Sequence, residues 1–388
     1  MNWQQKIQIA LYLKFKMKTL TTKAIHLLKQ LIATSSFSKE EFQTAEIISR
    51  FFQVEGIPFS SEKNNIWAMN KYYDANKPTL LLNSHHDTVR PGTGWTKNPF
   101  EPIEENGKLF GLGSNDAGAA LCSLIATFLH FYEAELPFNL IIAATAEEEI
   151  SGKNGIELIL PQLGKMDCAI VGEPTQMQIA IAEKGLLVVD CMVKGKTGHA
   201  ARNEGDNAIT KAIKIIDWVN HYEFPKISKW LGKVKMSVTM INSGTQHNVV
   251  PDTCSFTIDI RVTDAYTHEE ILQTLKQNLD CEINPRSTRI HSSSIAETHA
   301  LVEAGKKTGL NFFGSPTTSD QALIPFPSIK IGPGDSARSH TADEFIFLNE
   351  IEDGIKKYIR LIENFMKASA DPTLVNSQDS QFAYSKNS

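Results

Sequence analysis

The sequence predicts an α/β fold with a smaller α+β domain inserted into it. Three apolar runs, TLLLNSHHD (79–87), FNLIIAATAEEE (138–149) and CAIVGEP (168–174), are continuous rather than alternating, as central strands covered on both faces are. Between the first two, residues 116–136 place Ala119, Ala120, Leu124, Ile125, Phe128 and Leu129 at helical spacing. From residue 183 the texture changes to alternating strands, which leave one sheet face open for pairing.

The elements come in this order. Residues 1–16 are apolar but interrupted by Lys6, Lys14 and Lys16 and have no small-residue cleavage site, so a secretory signal is not expected. Met17 reads as a better start, which makes 1–16 an N-terminal extension or a frayed helix. The larger domain then covers 17–182. The inserted domain covers 183–293: LLVVDCMVKG (186–195), a helix over DNAITKAIKIIDWVN (206–220), VKMSVTMIN (234–242), CSFTIDIRVT (254–263), a helix opened by the Thr267/Glu270 capping box, and TRIHSS (288–293) as the last strand. That βαββαβ order is the ferredoxin-like split unit. The larger domain resumes over 294–367, with a strand near PSIKIG (327–332) and a helix over 349–367. The polar, aperiodic tail 368–388 is expected to be disordered.

The 388 residues are 41% hydrophobic and 21% charged, with a formal net charge of -5. That balance argues against nucleic acid as an electrostatic partner, and no apolar run is long enough to span a bilayer. Five cysteines at 122, 168, 191, 254 and 281 are odd in number and show no paired spacing, as reduced thiols of a cytoplasmic protein do.

Chemistry concentrates where the apolar runs end. In an extended SHHD, His85 and Asp87 point one way and His86 the other. A carboxylate beside a ligating imidazole is a familiar arrangement, though such a triplet is more often structural. Asp116, in GLGSNDAGAA, also fits a plain N-cap, Glu173 in VGEP an ordinary turn, and His340 in IGPGDSARSHTADEF a solvated loop. Glu147, Glu148 and Glu149 are three adjacent carboxylates whose mutual repulsion requires full solvation or a strong positive neighbour. Taken together, the imidazole and carboxylate donors gather at strand ends of one sheet and suit a borderline divalent ion such as zinc.

The ordered series SHHDTV, GLGSNDAGA, TAEEEISG, VGEPT, GKTGHAAR, HNVVPD and GPGDSARSHTADEF resembles the dinuclear zinc aminoacylase and carboxypeptidase family. Within it the likeness is greatest to the acetylornithine deacetylase and succinyl-diaminopimelate desuccinylase subgroup. The resemblance implies a mixed-sheet zinc-hydrolase catalytic domain with an inserted lid and dimerisation domain. It implies two Zn2+ per subunit, with Co2+ or Mn2+ as possible substitutes. His85 and Glu173 would bind one ion, His340 and Glu149 the other, and Asp116 would bridge them. Asp87 would orient His85, and Glu148 would be the general base; alternation alone does not choose between Glu148 and Glu149. His199 would reach the acyl oxygen from a partner's lid, which implies a homodimer paired through the lid domain.

Arg261 lies on the polar face of its strand, where solvation is the default. The resemblance implies instead a grip on the substrate carboxylate, with Asn248, Lys184 and Arg338 as further substrate-binding candidates. The sequence departs from the family pattern at Leu112, where Arg is common, at Ala117-Gly118 in place of Met-Lys-Gly, and at Glu147, where Asp is common. None of these is an expected ligand. The expected reaction is hydrolysis of an N-acyl amino acid, N-acetylornithine or a related acetyl or succinyl derivative of ornithine or citrulline, in arginine biosynthesis. Succinyl-diaminopimelate or a peptide is the alternative substrate. A non-catalytic ligand-binding dimer would have lost a ligand or the base, and this chain keeps them.

Overall fold

The structure, a computed structural model, describes residues 3–369. The expected tail therefore lies, from residue 370 on, outside the described residues. The chain divides into two compact units. The first comprises residues up to Ile181, Ile295–Phe312 and the chain from Phe326; the second comprises Ala182–Ser294 and Phe313–Pro325.

In the first unit the three continuous apolar runs form the strands Thr79–His85, Asn139–Thr145 and Cys168–Val171, every residue of which is buried. They are parallel, and Ser328–Lys330 adds a fourth parallel strand beside Cys168–Val171. The hairpin Phe59–Glu62 and Asn65–Met69 joins antiparallel on the far side of Asn139–Thr145, so the sheet is mixed. Leu80, Leu81, Leu82, Leu140, Ile141 and Ile142 have almost no exposed surface. Each such side chain stabilises the fold by about 1.5–3 kcal/mol through burial.

Register determines where the chemistry emerges. His85 lies opposite Thr145, Asn83 opposite Val171, and Val171 opposite Lys330. The carboxyl ends of the parallel strands are therefore nearly level. The segments beyond them leave from one edge, where α/β sheets carry their sites. Gly172 permits this close packing, since a Cβ there would stand 2.7 Å from Leu124 Cδ1 and 3.0 Å from Ser84 Cβ.

Helices Trp3–Ile32, Ala119–Phe131 and Leu348–Ser369 pack in this unit. Two expectations are corrected here. The first helix runs unbroken from Trp3 through Met17 to Ile32, so no structural boundary sets residues 1–16 apart from the rest of the helix. The helix expected from Asp116 begins at Ala119, because Ser114–Gly118 forms a wider turn with non-helical backbone at Asp116 and Ala117.

The second unit is a four-stranded antiparallel sheet in the order Lys235–Ser243, Thr253–Val262, Gly185–Lys194, Glu282–Pro285, with helices Ala208–His221 and His268–Asn278. Its first three strands fall where alternation put them. Leu187, Val189, Cys191, Phe256, Ile258 and Ile260 form its core with the inner faces of both helices. The Thr267/Glu270 capping box is present in full. The fourth strand is Glu282–Pro285, not 288–293: its residues pair with Val189–Met192 although they show no apolar alternation. Residues 313–325 also belong to this unit rather than to the larger one. Ser319 donates from both its backbone N–H and its hydroxyl to the buried Glu183 carboxylate, at 3.1 and 2.7 Å, and the Ser315 carbonyl accepts from the Lys184 N–H at 3.1 Å.

Candidate metal centre

At the level strand ends of the first unit, His85 is the fixed point. Its side chain is 1% exposed, and Nδ1 lies 3.0 Å from the Asp87 carbonyl oxygen and 3.3 Å from Asp87 Oδ1. With Nδ1–H donating there, Nε2 carries its lone pair forward. Nε2 has no hydrogen-bond partner, although it is buried. Around it stand Asp116 Oδ1 at 3.4 Å, Glu173 Oε1 at 3.7 Å and Glu148 Oε2 at 3.8 Å. A lone pair facing three carboxylates is unfavourable unless a cation lies between them.

The other side is built around His340. Its Nε2 lies 3.0 Å from Glu149 Oε2 and 3.6 Å from Asp116 Oδ2. Asp116 thus turns one oxygen toward each histidine. Two sets of donor atoms fall within metal-sized clusters, His85 with Glu148 and Glu173, and His85 with Asp116 and Glu149. One orphaned imidazole nitrogen and several carboxylates form an N/O donor set suited to divalent metal ions.

The charges distort one another as this crowding requires. Burial opposes protonation of His85, yet the negative charge of Glu148, Asp116, Asp87 and Glu173 outweighs it and holds the imidazole well above its ordinary value. Burial pushes Glu173 well up, with Asp116 and Glu149 adding repulsion, and burial likewise raises Glu149. The Glu149 hydrogen bond raises His340 to about 9 against the effect of its partial burial.

Asp87 does more than face an imidazole. Its Oδ1 accepts the Glu148 N–H at 3.0 Å, and its Oδ2 accepts the Glu149 N–H at 3.2 Å and the Ser38 hydroxyl at 2.7 Å. The same carboxylate therefore holds the turn that aims Glu148 and Glu149. Glu147 is buried and points away: its carboxylate takes the Asn154 side chain at 2.7 Å and the Asn154 N–H at 3.3 Å, closing the 147–154 turn. His86 leaves the opposite side, between Thr44 Oγ1 at 2.9 Å and the Asn64 carbonyl at 2.8 Å. Burial lowers its pKa to about 4, so it is a neutral structural group.

Sequence reasoning missed Glu344. This buried carboxylate accepts the N–H groups of Gly113, Asn115 and Asp116 at 3.0, 2.8 and 2.9 Å and so holds the turn that presents Asp116. Burial first, and the nearby Asp116 charge second, raise it to about 8. It lies inside the SHTADEF stretch, but nothing in that string announces three backbone donors over 200 residues away.

Arg338 is already committed, which corrects its expectation as a substrate contact. Both terminal nitrogens pair with Glu350 at 3.0 and 2.7 Å, and the guanidinium stacks 4.9 Å from the Phe345 ring centroid. In the second unit, the short pairing of Gly198–His199 with Val249–Val250 brings His199 beside Asn248, whose carbonyl accepts the Ala200 N–H at 3.0 Å. Arg261 makes a bidentate pair with Asp259 on its own strand, at 2.9 and 3.2 Å. Lys184 Nζ donates to the Lys233 carbonyl at 3.2 Å, and burial, with Lys235 and Arg261 nearby, lowers its pKa.

The profile of peptidase family M20/M25/M40 matches residues 81–364, most of the chain. The chain belongs to this family. Among curated relatives it is 28% identical over 382 residues to the acetylornithine deacetylase of Proteus mirabilis (strain HI4320), covering 89% of this chain and 97% of that one. It is 26% identical over 373 residues to the succinyl-diaminopimelate desuccinylase of Wolbachia pipientis wMel, covering 88% and 93%. The fold is shared with a Staphylococcus aureus tripeptidase, with a TM-score of 0.72 at 19% identity, covering 89% of this chain and 99% of that one. It is also shared with a Bacillus subtilis protein described as a dinuclear metal binding peptidase from the M20 family, with a TM-score of 0.69 at 17% identity, covering 91% and 100%. This M20/M25/M40 chain is accordingly a hydrolase of the amidohydrolase and peptidase type. No helix among its described residues is long and apolar enough to cross a membrane.

Proposed function

We propose that this M20/M25/M40 chain is a metal-dependent deacylase that hydrolyses the amide bond of an N-acyl amino acid, N-acetylornithine or a close acetyl or succinyl analogue. In this reading it uses two divalent ions, zinc in the first instance, and serves arginine biosynthesis in the cytoplasm as a homodimer. The observation that carries it is the orphaned, buried Nε2 of His85 facing three carboxylates.

When bound, the metal pair would supply Lewis acidity to the amide carbonyl and acidify water. His85 and Glu173 would hold one ion, Glu149 and His340 the other, with Asp116 between. Glu148 would take a proton from the attacking water at Oε2 and return it to the departing amine. Asp87 keeps that carboxylate in place through the N–H of Glu148. His199 would donate to the carbonyl oxygen from a partner subunit's lid, while Arg261, Asn248 and Lys184 would receive substrate carboxylates.

The same chemistry on N-succinyl-diaminopimelate is the second reading, supported by the Wolbachia relative. A substrate panel on metal-reconstituted protein tests both. The expected result is turnover of acetyl- or succinyl-ornithine or citrulline above succinyl-diaminopimelate and dipeptides. Preference for succinyl-diaminopimelate would transfer the assignment to the second reading, and no turnover across the panel by metal-replete protein would overturn both.

A further inference from the structure

The two histidines of the centre are held by different means. His85 ends a buried strand. His340 sits in a loop, in the left-handed backbone region with φ 59°, and its side chain is 53% exposed. Packing does not immobilise such a ring, so its position depends on how the loop backbone is tied down. Asn115 supplies that tie. It is fully buried, and its carboxamide forms a closed pair with one residue of the His340 loop: Oδ1 accepts the Asp335 N–H at 3.0 Å, and Nδ2 donates to the Asp335 carbonyl at 3.0 Å. Nδ2 also lies 3.3 Å from Ser339 Oγ, one residue before His340. The loop comes so near that a Cβ on Gly334, at φ 95°, would stand 2.5 Å from Asn115 Oδ1.

Asp335 carries the tie onward. Its carboxylate caps the Ser336–Arg338 turn through the Ala337 N–H at 2.9 Å and accepts Gln176 Nε2 at 2.7 Å. The Gln176 N–H in turn donates to the Gly334 carbonyl at 2.6 Å. Three segments carrying the proposed ligands Asp116, Glu173 and His340 thus meet at Asp335. Of the two side chains that reach Asp335 from the other segments, Gln176 is exposed, and Asn115 is buried and adjoins a ligand.

We infer that Asn115 is a positioning residue: its paired hydrogen bonds to Asp335 set His340 against Asp116 and Glu149, and so govern retention of the metal on the His340 side without governing the His85 side. This rests on the two-metal reading for its metal arm but not for its structural arm.

The test compares the parent protein with Asn115→Ala and with the milder Gln176→Ala, whose residue is exposed and whose loss leaves both Asn115 bonds intact. Cobalt is titrated into metal-free protein by calorimetry with the absorption spectrum followed in parallel. Hydrogen exchange of the metal-free proteins is measured over the 334–341 segment. For Asn115→Ala, affinity for the second equivalent is expected to fall about 10- to 100-fold, the range for groups that orient ligands, with the first equivalent little changed. Exchange over 334–341 is expected to quicken, while 79–87 stays protected. Gln176→Ala should move the same two readouts in the same direction by a smaller factor, and it stands alone if Asn115→Ala fails to fold. Equal loss of both equivalents, or unchanged exchange over 334–341, would overturn the inference. Should the parent take up fewer than two equivalents, the two-metal reading fails and the exchange arm alone decides whether Asn115 positions the loop.

Discussion

His85 and His340 face the same carboxylates from opposite supports. The first is 1% exposed at the end of a buried strand, and the second is 53% exposed in a left-handed loop. The strand-borne side is preorganised by the sheet itself, since register with Asn139–Thr145 fixes where His85 ends and Asp87 binds the turn bearing Glu148 and Glu149. The loop-borne side depends on polar ties through Asp335. Burial therefore buttresses one half of the centre and hydrogen bonding the other, so substitutions on the two sides should fail differently.

The largest contrast is expected from His85→Ala. It removes the central donor and leaves buried carboxylates without a partner, so both metal equivalents should be lost. Turnover should drop by roughly 10³-fold or more, as the loss of several kcal/mol of Lewis-acid stabilisation implies. Elemental analysis and steady-state kinetics check this, and retention of two equivalents would break the comparison. His340→Ala should lose a single equivalent while changing stability by less than about 0.5 kcal/mol, as expected for an exposed side chain. Thermal melts of the metal-free proteins separate those outcomes.

Asp87→Asn comes next in size. A neutral amide would accept the two turn N–H groups less strongly, so affinity for both ions should fall about 10- to 100-fold, with a smaller loss in melting temperature. His86→Ala should act in the reverse sense: it removes two buried hydrogen bonds, costs about 1–3 kcal/mol of stability, and leaves metal stoichiometry unchanged. Neighbouring histidines would then report on function and folding separately.

The legible parts of this molecule are those whose cause is local. Continuous apolar runs announced the strands through His85, Thr145 and Val171, and the Thr267/Glu270 spacing announced a helix start that the structure reproduces. The strand Glu282–Pro285 was hidden because its polar residues and terminal proline form no alternating pattern; its place comes from the neighbouring strand, not from its own composition. Residues 313–325 were assigned to the wrong unit for a related reason, since contacts with Glu183 and Lys184, distant in sequence, bind them there. The donors of the centre were visible as residue types at strand ends. Their supports, Glu344 and the Asn115–Asp335 pair, were not, because each joins segments more than 200 residues apart through backbone groups that carry no sequence signature. Glu147 reads differently once its partners are known: its extra length reaches Asn154 rather than the centre.

The central claim is that the adjacent carboxylates divide their work, Glu149 holding metal and Glu148 carrying a proton. Glu148→Gln tests it most directly, with metal content and turnover measured on the same preparation. The account predicts two equivalents retained, as in the parent, and turnover reduced by about 10²- to 10⁴-fold, the usual contribution of a positioned general base. Turnover near that of the parent, or loss of metal in proportion to activity, would contradict it.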